Sequence, residues 1–319
     1  MSSWGFPSLH YDVIGARATI TPMSINLTII IPTKDRAPIL SKLLESIRRL
    51  EALEQLRPEI IVSDNNSQDG TRQLVQVIAK SFPLAIRLLT VSKPGKSAAM
   101  NAAVRVATGD MLAFLDDDVI VSDQWLRFIE SFCHEKKYQA GQGRILLQSP
   151  EAEDPVVHSL MHRYRTIPSL DFGSDVQEVH SLNGANFIVS RRVLESVGPF
   201  DERLGPGASG TSEDVEFARR LNRAGIRIGF IREATVYHRV DRERLTAAYF
   251  KHIHRLQGSS RLLIKNRGTL EMLLNLGHAF TQFGFYALLR KERKKYRSKG
   301  RIYHYLGMLE AKWNGRIEK

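Results

Sequence analysis

The stretch Met111-Leu112-Ala113-Phe114-Leu115-Asp116-Asp117-Asp118 decides the fold prediction, because five apolar residues lead directly into three carboxylates. A short apolar run is typical of a buried strand, and the carboxyl ends of parallel strands open onto crevices where ligands bind. Adjacent carboxylates are costly unless a positive group lies close, and oxygen ligands suit a hard divalent cation. The triplet therefore indicates a cation that holds a phosphate. The alternative is an acidic turn before a helix capped by Ser122 or Asp123.

The chain on either side of this stretch alternates between strand-like and helix-like segments. Short β-branched or leucine-rich runs occupy residues 27–31, 60–62, 86–91 and 111–115. Each is followed by a stretch with helical periodicity, at residues 37–56, 71–82, 96–107 and 124–136. This alternation predicts an α/β fold with a doubly wound, mostly parallel, Rossmann-like central sheet.

Polar side chains follow each of the four predicted strands, where such a sheet binds its ligands. They are Thr33, Asp35 and Arg36 after the first strand, Asp64 after the second, Lys96 after the third and the acidic triplet after the fourth. Carboxylates can accept hydrogen bonds from a nucleobase and a ribose, and a lysine at a helix N-terminus can face phosphate. An Asx-turn at Asp64 and a solvated lysine at Lys96 are the alternatives.

The phosphate-binding motifs of two large enzyme classes are missing from the sequence. No glycine-rich dinucleotide fingerprint follows the first strand, and no Gly-x-x-x-x-Gly-Lys-Ser/Thr loop occurs anywhere. Rossmann dehydrogenases and P-loop kinases are therefore disfavoured.

A different series of motifs runs through residues 25–240. In chain order they are Ile31-Pro32-Thr33-Lys34-Asp35-Arg36, residues 62–70, residues 95–103, the acidic triplet, Asn183-Gly184-Ala185-Asn186-Phe187, Gly198-Pro199-Phe200-Asp201-Glu202, Ser212-Glu213-Asp214-Val215-Glu216-Phe217 and His238. As a set, they resemble the family 2 glycosyltransferases, which have the A-type nucleotide-sugar transferase fold. The resemblance implies a transferase domain over 25–240, with a nucleotide-binding half at 25–118 and an acceptor half at 119–240.

The resemblance also implies a nucleoside-diphosphate sugar as donor, with a UDP-sugar favoured. The nucleotide-binding residues would be Thr33, Asp35, Arg36, Asp64, Lys96, Asp116 and Asp117. Asp118 and His238 would ligate Mn²⁺ or Mg²⁺, which neutralises charge on the departing diphosphate. An imidazole beside a carboxylate favours Mn²⁺ somewhat, whereas a lone histidine is more often structural.

The acceptor half supplies a candidate general base. Asp214 lies at the start of a predicted helix, and Glu213, Gly184 and Asn186 would line the sugar or acceptor pocket. With one base and no second nucleophile, the resemblance implies inversion at the anomeric carbon. In the alternative interpretations, the two acids only occupy a first helical turn, and Gly184 and Asn186 are turn residues. The glycine-rich loop at 205–212 is expected to be a lid or a simple connector.

The excess positive charge of the chain lies entirely in its C-terminal quarter. The formal net charge is +12, and residues 239–319 contain 19 Lys and Arg against six Asp and Glu, a net of +13. Residues 270–289 are apolar-rich but interrupted by polar side chains, and the basic run 290–295 follows. These features predict a helical C-terminal region, 241–319, that binds an anionic membrane surface through an interfacial helix, with a break at 258–260. A packed helix with a solvated basic end is the alternative.

Other features define the expected compartment and partners. The single cysteine, Cys133, allows no intrachain disulfide, and the predicted extension 1–24 has no signal-peptide pattern, so a cytoplasmic protein on the inner face of the cell membrane is expected. The basic region lacks a nucleic-acid recognition motif. A metal-dependent glycosyltransferase acting on a glycan or lipid-linked acceptor is therefore predicted. The alternatives are sugar transfer to polyprenyl phosphate and a non-catalytic membrane- or polyanion-binding protein.

Overall fold

The computed structural model of the chain describes residues 11–14, 25–265 and 267–314. Within these residues the strands are β1 (Tyr11–Ile14), β2 (Leu27–Thr33), β3 (Glu59–Asp64), β4 (Ile86–Thr90), β5 (Met111–Leu115), β6 (Val119–Val121), β7 (Ala140–Leu147), β8 (Glu178–Val179), β9 (Asn186–Ser190) and β10 (Ile228–His238). The α-helices are α1 (Ala37–Arg48), α2 (Leu53–Leu56), α3 (Thr71–Ser81), α4 (Lys96–Val106), α5 (Trp125–Glu135), α6 (Pro155–Tyr164), α7 (Arg191–Val197), α8 (Glu213–Arg223), α9 (Ala247–Ile264), α10 (Thr269–Leu288) and α11 (Glu292–Trp313).

The strands form one sheet in the order β1-β4-β3-β2-β5-β9-β7-β10-β6, with β8 also paired to β10. Strands β4, β3, β2 and β5 are parallel neighbours, whereas β9 is antiparallel to both β5 and β7. The sheet is therefore parallel from β4 to β5, as predicted, antiparallel at its β1 edge and mixed beyond β5. The chain passes from β4 to β5 on the opposite side of β2. That switch point is where open α/β sheets bind ligands.

Helices cover both faces of the sheet because its central strands are apolar on both sides. Ile29 and Ile31 of β2 belong to a buried cluster that includes Leu44 of α1. Ile30 belongs to a second cluster, which includes Phe217 of α8. Successive side chains of a strand point to opposite faces, so the unbroken apolar run of β2 contributes to both cores. This is the predicted doubly wound arrangement.

The predicted N-terminal extension, residues 1–24, lies mostly outside the described residues. The part that the structure describes, β1, pairs antiparallel with β4 at the edge of the sheet.

The predicted break at 258–260 is wrong, because these residues lie inside α9. Gly258 and Ser260 are buried there. A Cβ atom at Gly258 would overlap the carbonyl oxygen of His304 in α11, and one at Gly307 would overlap the carbonyl oxygen of Arg255. Glycine allows two backbones to approach closely. The small residues therefore indicate tight packing between α9 and α11.

Helix α10 has one packed face and one exposed apolar face. Met272 packs with Leu262 of α9 and Met308 of α11. On the opposite face, Leu274 is 66% exposed and Leu288 is 82% exposed. Across the described residues, no helix combines the length and apolarity that crossing a bilayer requires.

Candidate active site

The acidic triplet lies at the switch point, next to the end of β2. It follows β5 directly, and β2 and β5 are parallel neighbours, so Thr33 at the end of β2 lies beside the acids. The hydroxyl of Thr33 donates a hydrogen bond of 2.7 Å to Oδ2 of Asp117. The sheet topology thus brings together polar residues that are far apart in the sequence.

Arg36, just before α1, contacts two of the three acids. Its Nη1 donates to Oδ1 of Asp117 at 2.9 Å and to Oδ2 of Asp118 at 3.1 Å. Burial raises the pKa of Asp117 to about 6, although the Arg36 guanidinium opposes this. The arginine therefore neutralises part of a buried acidic cluster that would otherwise be strongly disfavoured.

Asp118 and His238 face each other because of strand register. Strand β6 follows the triplet and pairs antiparallel with β10, with Val119 opposite His238. Nε2 of His238 lies 3.3 Å from Oδ1 of Asp118. Nδ1 of His238 lies 2.8 Å from the carbonyl oxygen of Arg239, which can only accept, so Nδ1 carries a proton. Nε2 is therefore the ring nitrogen that lies beside Asp118 and is available to a cation.

Arg244 is a residue of the site that the sequence analysis missed. It lies in a 3₁₀ turn after β10, and its Nη2 is 3.3 Å from Oδ2 of Asp118. Burial would raise the pKa of Asp118, but the charges of His238, Arg244 and Arg36 outweigh it and hold this pKa below its ordinary value. The many basic residues after β10 indicate only that this part of the chain is positively charged. They do not indicate which arginine reaches the site.

The Asp118 and His238 pair has the donor chemistry of a divalent cation site. An imidazole nitrogen and a carboxylate oxygen 3.3 Å apart provide ligand types that fit Mn²⁺ and related ions. Among the described residues, no group of three or more His, Cys, Asp or Glu side chains is arranged to hold a metal. A cation held by two protein ligands would keep most of its coordination sphere for water or substrate phosphate, as Mg²⁺ sites often do.

Lys96 links the triplet to the second half of the chain. It is the first residue of α4, and its Nζ lies 2.5 Å from Oδ1 of Asp116 and 3.2 Å from Oε1 of Glu213. Burial would lower the pKa of Lys96, but the two carboxylates outweigh it and raise the pKa. The ammonium is therefore a fixed positive charge between the strand ends and α8.

Asp214 is held in place by backbone groups at the start of α8. Its Oδ2 accepts a hydrogen bond of 3.0 Å from the backbone N–H of Gly184. Burial and the neighbouring Glu213 carboxylate raise the pKa of Asp214 to about 7, although Lys96 opposes this. A carboxyl group with a pKa near neutrality is suited to take up a proton from a substrate.

These groups line one cavity of about 570 Å³. Of the predicted site residues, it contains Thr33, Arg36, Lys96, Asp116, Asp117, Asp118, Gly184, Glu213, Asp214 and His238. The cavity also contains Arg244 and three side chains of α9, namely Tyr249, Ile253 and Gln257. The C-terminal region therefore forms one wall of the site, which the sequence analysis did not anticipate.

Three predicted site residues do not line the cavity. Asn186 is buried, and its amide hydrogen-bonds the indole of Trp125 at 3.0 Å and the carbonyl oxygen of Ala234 at 2.8 Å. The prediction that Asn186 lines the acceptor pocket is corrected: its side chain connects β9 to α5 and β10 through these hydrogen bonds. Asp64 is also buried, and its carboxylate accepts hydrogen bonds from Ser67 N at 3.0 Å and from Nε of Arg72 at 2.7 Å. Asp35 is exposed beside the cavity, in the left-handed region with φ of 52°.

Comparison with curated proteins finds relatives that align over most of this chain. The succinoglycan biosynthesis protein ExoM of Rhizobium meliloti is 28% identical over 258 residues, which cover 79% of this chain and 80% of that protein. The glycosyltransferase AglE of Haloferax volcanii is 24% identical over 212 residues, which cover 66% of each chain.

Solved structures with the same fold include a mannosyltransferase, PcManGT from Pyrobaculum calidifontis, in complex with GDP-Man and Mn²⁺. It aligns with a TM-score of 0.61 at 18% identity, covering 91% of this chain and 88% of its own. S. aureus TarS in complex with UDP-GlcNAc aligns with a TM-score of 0.54 at 17% identity, covering 92% and 93%. The predicted A-type fold is thereby confirmed. The model of Glycosyl transferase family 2 matches residues 28–198, more than half of the chain. The chain therefore belongs to the family 2 glycosyltransferases.

Proposed function

We propose that this glycosyltransferase moves a sugar from a nucleoside-diphosphate sugar to an acceptor hydroxyl, with inversion, in polysaccharide or glycolipid synthesis. The observation that carries the proposal is that the facing pair of Asp118 and His238 shares one cavity with Asp214. Glycosyl transfer needs an electrophile for the leaving diphosphate and a base for the acceptor. The relationship to a succinoglycan biosynthesis protein supports a glycan product.

Residues at the first strand ends are assigned to the donor. Arg36, Lys96 and Arg244 line the cavity as cations and would contact the diphosphate, since guanidinium and ammonium groups bind phosphate through charge-assisted hydrogen bonds. Thr33, Asp116 and Asp117 would lie toward the ribose. Asp35 would reach the nucleobase from its exposed position, and Asp64, ion-paired with Arg72 at 2.7 Å, would support that rim. A UDP-sugar is the favoured donor, as it is bound by TarS.

Asp118 and His238 are assigned to a divalent cation, Mn²⁺ or Mg²⁺. When bound, the cation supplies electrophilic stabilisation of the charge that develops on the departing diphosphate. Both arginines beside Asp118 could stay in place, because the two negative charges on the diphosphate of the donor offset the two positive charges of the cation. The Mn²⁺ in the mannosyltransferase complex supports this assignment.

Asp214 is assigned the role of general base. Its carboxylate accepts the proton of the acceptor hydroxyl while that oxygen forms a bond to the anomeric carbon. The bond from this carbon to the diphosphate oxygen breaks in the same step, and the nucleoside diphosphate leaves with the electron pair. Attack from the side opposite the leaving group inverts the anomeric configuration. Gly184 N–H and the start of α8 hold the carboxylate in position.

The full chain, incubated with Mn²⁺ and in parallel with UDP-, GDP- and dTDP-sugars, provides the test. We expect one nucleotide to raise the melting temperature in a metal-dependent way, and the matching sugar donor to release nucleoside diphosphate. If no nucleotide stabilises the protein and no donor is consumed, the proposed function is wrong. If stabilisation is the same in EDTA, the metal assignment is wrong.

We further propose that α10 docks on an anionic membrane surface, the predicted inner face of the cell membrane. Its exposed apolar face includes Leu270, Leu274, Phe285 and Leu288, at helical spacing. The exposed cations Arg290, Lys291, Arg293 and Lys294 follow directly. An apolar helix face beside a basic cluster has the chemistry of an interfacial anchor on anionic lipid.

Sedimentation with vesicles of phosphatidylglycerol and phosphatidylcholine tests this location. Leu274→Glu should greatly reduce binding, whereas Val77→Glu should not, because Val77 is similarly exposed but lies on α3. Equal binding of both variants, or equal binding to vesicles without phosphatidylglycerol, would contradict an anionic membrane anchor.

A further inference from the structure

One face of α9 forms a wall of the cavity. Tyr249, Ile253 and Gln257 line it and are spaced four residues apart, so they share one side of the helix. All three are half-buried. The roles proposed for the donor, the cation and the general base use side chains of other elements. They leave this wall of the cavity without a role.

Helix α9 is fixed against the loop that leads to Asp214. The hydroxyls of Ser260 and Ser209 lie 2.8 Å apart, and Thr211 Oγ1 lies 3.3 Å from Ser260 Oγ. A Cβ atom at Gly210 would lie 2.9 Å from a methyl group of Leu256. The wall is therefore held beside the segment that positions the candidate base.

The α9 wall is electrically neutral. It presents an aromatic ring, an aliphatic side chain and a carboxamide. The basic residues of this part of α9, Lys251 and Arg255, do not line the cavity, and Arg255 forms an ion pair with Glu310 of α11.

The cationic side chains of the cavity come from other elements. Arg36 and Arg244 contact Asp118, and Lys96 contacts Asp116, while Lys34 directly follows β2. A phosphate acceptor would be expected to have its own cations, as phosphate sites usually do. The α9 wall offers none.

Given the proposed function, on which this inference rests, we propose that the α9 face is the acceptor subsite and binds a neutral sugar ring. A sugar ring has an apolar C–H face, which can lie on the tyrosine ring, and hydroxyl groups, which can bond to a phenol or a carboxamide. The acceptor is therefore the hydroxyl group of a glycan, free or lipid-linked, and not a polyprenyl phosphate.

Acceptor binding to the full chain, loaded with the preferred nucleoside diphosphate and Mg²⁺, provides the test. Methyl and octyl glycosides of glucose, galactose, mannose and N-acetylglucosamine serve as probes in saturation-transfer NMR, with undecaprenyl phosphate in parallel. We expect at least one glycoside to bind. Tighter binding of its octyl form would indicate a lipid-linked acceptor, and equal binding would indicate a free glycan.

Variants separate the subsite from the donor site. Tyr249→Ala should weaken glycoside binding about tenfold and leave nucleotide affinity unchanged, while Tyr249→Phe should keep most of the affinity. Lys251→Ala is the matched control, since Lys251 is exposed on the same helix and does not line the cavity. Unchanged glycoside affinity in Tyr249→Ala would overturn the inference, as would binding of undecaprenyl phosphate with no glycoside bound. A wild-type chain that binds no nucleotide would instead count against the proposed function itself.

Discussion

Nε2 of His238 lies 3.3 Å from Oδ1 of Asp118, with Nδ1 of the same ring fixed by a backbone carbonyl. The two candidate metal ligands therefore lie side by side. His238 is the last residue of β10, and Asp118 immediately precedes β6. This pair makes the metal proposal specific enough to test with single substitutions.

Asp118→Asn should abolish most metal-dependent nucleotide binding, because the amide is a weaker cation ligand and carries no charge. We expect the affinity for nucleoside diphosphate in Mn²⁺ to fall by roughly tenfold to a hundredfold. Asp123→Asn should have no effect, since Asp123 is exposed beyond β6. Isothermal titration with and without EDTA measures the difference. Equal affinities in both variants would remove Asp118 from the metal site.

Asp214→Asn should keep donor binding and lose transfer. The amide retains nearly the same shape but cannot take up the acceptor proton, so kcat should fall by roughly a hundredfold to ten-thousandfold. Asp175→Asn, at an exposed aspartate, is the control. Nucleotide affinity by titration and kcat by product formation separate the two effects. Full activity in Asp214→Asn would assign the base elsewhere.

The pKa of Asp214, raised to about 7 by burial, should appear in the pH profile of transfer. A general base acts only after it has lost its proton, so kcat should decline as pH falls below about 7 and level off above it. The profile is measured from pH 5.5 to 8.5 at saturating donor and metal. A flat profile across this range would contradict the assignment.

Ionisation of the Asp214 carboxyl group should also lower the free energy of unfolding of the protein at neutral and alkaline pH. The pKa of Asp214 is raised in the fold to about 7, so the unfolded chain loses this proton first. Unfolding is therefore favoured progressively as pH rises from about 4 to about 7. In EDTA, Asp214→Asn should raise the melting temperature at pH 8 by roughly 1–3 °C and change it little at pH 4. An equal change at both pH values would show that ionisation is not the cause.

Gly258→Ala should destabilise the C-terminal helices. A methyl group there would overlap the carbonyl oxygen of His304, so α9 and α11 would have to separate, at a cost of about 1–3 kcal/mol or more. Gly284→Ala is the matched control within α10, because its Cβ would meet nothing within 4 Å. The control should be neutral or slightly stabilising. Thermal unfolding of both variants measures the difference, and equal melting temperatures would argue against tight α9–α11 packing.

The first half of the fold could be predicted because its signals are local. Each strand there is a short apolar run, and the polar residues come directly after it, as Thr33 follows Ile31 and Pro32. Parallel pairing then brings these ends together without further information. The triplet and Lys96 were found for this reason.

The remaining contacts depend on pairings between distant segments. Nothing local to Arg244 shows that its guanidinium reaches Asp118, and nothing in the α9 sequence shows that Tyr249 faces the cavity. A glycine such as Gly258 is typical of a helix end, but here it lies within α9 and allows that helix to pack closely against α11. Asn186 belongs to the same motif as Gly184, which lines the site. Its own amide instead forms hydrogen bonds with Trp125 and Ala234.

The pairing of β6 with β10 makes the metal pair depend on sheet register. Because alternate residues of a strand point to opposite faces, a slip of one position would turn His238 away from Asp118. Strand β6 has only three residues, so a one-residue insertion there would separate the two donors even though every residue of the site is retained. Loops between β6 and β10 can change in length without this effect. Length variation among related enzymes should therefore be excluded from β6.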